Sequence, residues 1–202
     1  MTENKNSIGI IYRNRFVYRA AMNTLYAGKY RDRFRLIVPY LGNVKSVLEL
    51  CFGDTVFAEL CKKRNVSWTG IDNNEMFVNK ALKNRYHALC ENILEMKEFP
   101  SSDCVVMTGS LYQFHSATNE LFAKIFSCTS KLILSEPIRN LSSRKDVIGR
   151  MASRYSKTKD GIQPFRYDQK SLTEEISRLA DKFAFSWKTY PADRDSIIVI
   201  NK

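Results

Sequence analysis

Hydrophobic and polar positions change their period several times along the chain, and each change marks a different kind of element. Over residues 12–26 the spacing is helical, but Arg13, Arg15 and Arg19 are interleaved with Tyr12, Phe16, Tyr18 and Tyr26, which predicts a basic helix. Gly28 interrupts it. Over residues 30–41 Tyr30, Phe34, Ile37, Val38 and Leu41 form one apolar stripe, predicting a second helix with Arg31, Arg33 and Arg35 on its other faces. Pro39 and the Gly42-Asn43 pair close it. Short apolar runs then alternate with helical stripes. Strands are predicted over 44–50, 66–71, 86–89, 103–107 and 131–135, and helices over 55–64, 74–84 and 116–128. Such alternation predicts βαβ units, hence a doubly wound, Rossmann-like α/β sheet, mostly parallel, with helices on both faces.

After Ser135 the rhythm breaks. Residues 136–167 are polar and basic and contain Pro137, Gly161 and Pro164, which predicts an irregular insertion. A helix is predicted over 168–182, where Ser171 and Glu174 have capping-box spacing. Two strands, 184–189 and 196–200, joined through YPADRD, predict a C-terminal antiparallel hairpin. The whole chain, 1–202, is expected to form a single domain with extra helices at its N-terminus.

Composition agrees with a packed globular core: 44% of residues are hydrophobic and 26% charged. The polar opening MTENKNS has no signal-peptide core, and no apolar run is long enough to span a bilayer. A cytoplasmic location is therefore expected. The five cysteines are scattered without a CxxC pair, and there are two histidines, so neither a zinc site nor a disulfide framework is expected. The net charge of +11 is unevenly placed. Residues 1–45 hold nine basic against two acidic residues, and 139–170 nine against three, while 46–138 are slightly acidic. The bland explanation is solvated helical faces. The functional one is an anionic partner met by the two basic segments.

Candidate chemistry gathers at VLELCFGDT, residues 47–55, and GID, residues 70–72. An apolar strand that ends in a turn with a glycine and enters a helix is how α/β chains cradle nucleoside ligands. Asp72 follows by the spacing of a ribose-gripping carboxylate. The turn lacks GxGxxG and is flanked by Glu49 and Asp54, which disfavours a pyrophosphate and favours a cationic ligand without phosphate, such as S-adenosylmethionine. These segments resemble those of class I S-adenosylmethionine-dependent methyltransferases. VLELCFGDT is similar to their first motif, usually VLDLGCGTG, and GIDNNEMFVNKA to their second-strand motif. CENILEMKEFPSSDCVVMTGSLYQF and KLILSEP are similar to the stretches through the fourth and fifth strands.

The resemblance implies S-adenosylmethionine as cofactor, with Glu49 near its methionine end, Cys51, Gly53 and Asp54 in the binding turn, and Asp72 and Asn73 at the ribose. It places Asn92 at the adenine amino group and Ser110 under the methionine. Cys51 and Thr55 stand where the family has glycines. Candidate bases for methyl transfer are His115, Tyr112 and Glu136; no metal is implied. In the family, the segment before the first strand and the insertion after the fifth cover the acceptor. Here these are residues 1–43 and 136–167, so a small anionic acceptor (metabolite, sugar or lipid headgroup) is expected, with Arg139, Arg144, Arg150, Arg154 and Arg166 as contacts. An RNA methyltransferase or RNA-binding protein would use the same basic segments for phosphates and bases. A non-catalytic cofactor-binding relative is the third reading.

Overall fold

The protein, described by a computed structural model over residues 15–138 and 165–202, is built on one seven-stranded sheet. Its elements run α1 (Arg15–Leu25), α2 (Tyr30–Arg35), α3 (Val38–Leu41), β1 (Ser46–Leu50), α4 (Val56–Lys63), β2 (Ser67–Asp72), α5 (Glu75–Lys83), β3 (His87–Cys90) and β4 (Cys104–Thr108). A 3-10 turn at Leu111–Phe114 leads to α6 (Thr118–Cys128) and β5 (Lys131–Pro137), followed by α7 (Gln169–Phe183), β6 (Ser186–Ala192) and β7 (Asp195–Asn201). Strand order is β3-β2-β1-β4-β5-β7-β6. The first five strands are parallel, and β7 runs antiparallel to both β5 and β6.

Alternation along the strands divides the core in two. Leu48, Leu50, Val105, Met107, Leu132 and Leu134 face α6 and α7, while Val47, Cys104, Val106 and Ile133 face α2, α4 and α5. Because both faces are covered, the central strands read as continuous apolar runs, which is what made them visible in the sequence. No described helix is long and apolar enough to cross a membrane.

Four expectations need correction. The stripe over 30–41 is not one helix: α2 ends at Arg35 and α3 begins at Val38. Arg33 does not take an outer face; its side chain is buried, at 5% exposure. The capping box of α7 is formed by Asp168 with Ser171, not by Ser171 with Glu174. The terminal hairpin is also tighter than YPADRD suggested, since β6 and β7 pair up to Ala192 and Asp195 and leave two residues in the turn. Arg139, Arg144, Arg150 and Arg154, with most of the expected insertion, lie outside the described residues.

Candidate functional site

Strand order reverses between β1 and β4, so the crevice at their carboxyl ends is where an open α/β sheet receives a ligand. The chain leaves β1 through Cys51, whose φ of 55° is left-handed. A non-glycine residue there carries a strain of about 1–2 kcal/mol. Cys51→Gly is therefore expected to raise stability by up to about 1 kcal/mol, because the greater freedom of glycine when unfolded offsets part of the relief. Cys51→Val should lower it by a similar amount, and thermal unfolding of the three proteins checks the order. Thr55, the other glycine replacement, has φ −81° and carries no such strain.

Asp72, at the end of β2, ties the turn to its neighbour. One carboxylate oxygen accepts the Gly53 N–H at 2.9 Å and the other the Asn74 N–H at 2.9 Å. A carboxylate oxygen accepts more than one hydrogen bond, so this group can serve the protein turn and a ligand hydroxyl together. Asn73 lies beside it, half-buried. From the other side α1 closes on the same turn, with the Tyr18 hydroxyl 2.8 Å from where a Gly53 Cβ would stand.

The remaining acids at this turn have partners within the protein. Glu49 is fully buried on the α4 face and accepts the Trp68 indole N–H at 2.8 Å. Burial pushes its carboxyl well above the usual range, against the pull of that hydrogen bond. Glu49 thus supports the turn from behind and does not face the crevice. Gly70 makes this possible, because a Cβ there would collide with the Trp68 and Phe52 rings. Asp54 is bridged by Arg19 at 2.6 Å and Lys80 at 2.6 Å. Burial opposes its ionisation, but the two cations outweigh burial and hold its carboxyl below the usual range. Neither acid therefore offers a free negative charge to select a cationic ligand. Asn92 is engaged locally: its side chain accepts the Leu94 N–H at 3.1 Å and donates to Glu95 at 2.8 Å.

The second half of the rim follows β4. Ser110, 2% exposed, opens the 3-10 turn, and the Glu136 carboxylate at the end of β5 accepts the N–H groups of Leu111 (3.1 Å) and Tyr112 (3.4 Å). Burial raises Glu136 to about 7, with Arg33 and those two N–H groups opposing. Its neutral form is thus the one favoured by folding. The contribution is full below its ordinary value of 4.5, is lost as pH rises through about 7, and then levels off. Glu136→Gln is expected to remove about 2–3 kcal/mol of this pH dependence. Urea titrations at both ends of that window test it.

Tyr112 is buried under the Arg166 guanidinium, which lies 3.8 Å from its ring centre. Burial pushes its phenol up, against the effect of Arg166, which unfits Tyr112 as a base at neutral pH. His115 is exposed, stacks on Phe165 at 4.4 Å, and has Nδ1 3.2 Å from the Tyr112 carbonyl. All three candidate bases and Arg166 therefore gather at one turn. Among the described residues no group of His, Cys, Asp and Glu is placed to hold a metal ion.

Beneath both halves lies a charge that the sequence reading missed. Arg33 donates to Asp195 at 2.5 Å and to the Ser135 carbonyl at 3.1 Å, and lies 5.0 Å from the Tyr26 ring centre. Asp195 also accepts from the Tyr26 hydroxyl at 3.1 Å and the Ser135 hydroxyl at 2.9 Å. The signal was present: Arg33 stands three residues after Tyr30 and beside Phe34, on the buried side of α2.

The sequence matches no family model and no curated protein. Solved structures do match. The plantazolicin methyltransferase BpumL, in complex with a monoazolic desmethylPZN analog and SAH, aligns with a TM-score of 0.64 at 12% identity over 95% of this chain and 88% of its own. The chain has the class I methyltransferase fold. Magnesium protoporphyrin IX methyltransferase from Synechocystis PCC 6803, with bound SAH, aligns with a TM-score of 0.64 at 14% identity over 86% and 83% of the two chains. The methyltransferase domain of bacterial CtHen1-C gives 0.63 at 17% identity over 85% and 97%. The methyltransferase fold accounts for the sheet order and for the antiparallel hairpin at its edge.

Proposed function

We propose that the protein transfers a methyl group from S-adenosylmethionine to a small anionic acceptor. One observation carries the cofactor reading. On the rim where Asp72 holds the glycine turn, the hydroxyls of Thr55, Thr108 and Ser110 are buried without a protein partner. Buried hydroxyls are normally satisfied, so three at one crevice fit a polar ligand. Asp72 supplies a carboxylate, the group that suits a ribose diol, and the Cys51–Gly53 turn brings backbone close to the ligand's amino-acid end. S-adenosylmethionine supplies a methyl group already activated by its sulfonium.

The chain's own residues then have the tasks of orientation and proton removal. Glu136 fixes the turn that carries Tyr112 and His115. His115, exposed at that turn, accepts the acceptor's proton, while Tyr112 supports Arg166. Arg166 meets the acceptor's carboxylate or phosphate, as a planar guanidinium does well. Acceptors vary on this fold, since its neighbours include a plantazolicin methyltransferase and a magnesium protoporphyrin IX methyltransferase.

The test is transfer from methyl-labelled S-adenosylmethionine to a fractionated metabolite extract and to bulk RNA. Label is expected in small anionic species, and Arg166→Ala should raise the acceptor KM about tenfold with unchanged cofactor affinity. Label in RNA would support the nucleic-acid reading instead. Cofactor binding without any transfer would support a non-catalytic relative.

A further inference from the structure

We infer that Arg33 is a positioning residue for the amino-acid half of the cofactor, acting through Gly109; this rests on the cofactor reading above. The guanidinium is fixed on one side by Asp195, the Ser135 carbonyl and the Tyr26 ring. On the other side it lies against Gly109, the residue between Thr108 and Ser110. Gly109 has φ 65°, and a Cβ there would stand 2.9 Å from the guanidinium carbon. The Gly109 N–H donates at 2.7 Å to the same Ser135 carbonyl that accepts from Arg33. One carbonyl thus holds both the turn and the plane beneath it, and the flat guanidinium sets how high the turn stands above the sheet.

What the turn carries makes that height matter. Thr108 and Ser110, on either side of Gly109, both have buried hydroxyls without a protein partner. Leu111 and Tyr112, just beyond, are pinned by Glu136. Lowering or tilting Gly109 therefore moves two buried, unpartnered hydroxyls at the carboxyl end of β4 while the chain beyond them stays fixed. The effect is local to β4. Asp72 sits on β2, separated from β4 by β1, and its bonds to Gly53 and Asn74 include nothing that touches Arg33. A change at Arg33 consequently acts on the half of the ligand over β4 and spares the nucleoside half. Lysine would keep the charge but lose the plane and the fork.

Two probes separate the halves. S-adenosylhomocysteine has both the nucleoside and the amino acid, whereas 5′-methylthioadenosine lacks the amino acid. In calorimetric titrations Arg33→Lys is expected to weaken S-adenosylhomocysteine about tenfold or more, since small misplacements at a positioned contact have large effects, and methylthioadenosine less than about twofold. Gly109→Ala leaves the Arg33–Asp195 pair in place and presses the turn off the guanidinium, so it should give the same selective loss even if the Arg33 variant does not fold. Equal weakening of both probes, as general destabilisation would give, overturns the assignment, and so does unchanged binding. Wild-type protein that binds neither probe would instead refute the cofactor reading, and the role of Arg33 with it.

Discussion

Asp195→Ala is expected to lower folding stability by about 3–5 kcal/mol, the range for breaking a buried ion pair by removing one partner. Asp195 is 2% exposed and accepts hydrogen bonds from three side chains: Arg33, Tyr26 and Ser135. Its removal leaves the Arg33 guanidinium in the core without a counter-charge and two hydroxyls without their acceptor. The elements joined are far apart in the chain, α2 with β5 and β7, so the loss is felt by the whole rim. Asp195→Asn keeps the shape and part of the hydrogen bonding, and should fall between wild type and alanine. Urea unfolding of the three proteins provides the comparison, and an alanine variant within about 1 kcal/mol of wild type would show that water replaces the carboxylate without cost.

The second large effect is on the ligand. Asp72→Ala is expected to weaken S-adenosylhomocysteine by about 100-fold, corresponding to two charge-assisted hydrogen bonds to a ribose diol. Part of the loss comes through the protein, because the same carboxylate holds the Gly53 N–H. Asp72→Asn divides the two contributions. An amide oxygen still accepts one N–H but cannot serve a diol with both atoms, so its affinity should lie closer to alanine than to wild type. Unchanged calorimetric affinity in the alanine variant would remove Asp72 from the site.

The strand succession from β1 to β5 and the terminal hairpin were legible because sheets covered on both faces write themselves as apolar runs between helical stripes. The turn at Cys51 was legible because a small residue and a glycine after such a run leave few backbone options. Arg33 was not, although it lies in its helix's apolar stripe. Its partner Asp195 is 162 residues away, and periodicity alone reports a buried charge as an exposed one. Glu49 failed for a related reason: alternation puts it on a buried face, but only the geometry reveals the Trp68 indole that donates to one of its oxygens while the other is buried without a partner. Pro39 does not close a helix as expected: it stands in the first turn of α3, where proline is tolerated, and Gly42 caps that helix. Asn92 shows the opposite case, a residue at the right strand end whose short side chain bonds to its own loop.

The double bridge at Asp54 gives the fold a response to ionic strength. Its Arg19 arm reaches from α1 and is 39% exposed, whereas its Lys80 arm comes from α5 and is 11% exposed. Dissolved ions screen exposed charges over a Debye length of about 8 Å at 0.15 M and reach sheltered ones much less. Added salt therefore releases the arm that draws α1 over the crevice while sparing the arm that braces the turn from within the sheet layer. The seating of α1 on the turn becomes sensitive to the medium, and the turn's own anchorage to the sheet does not.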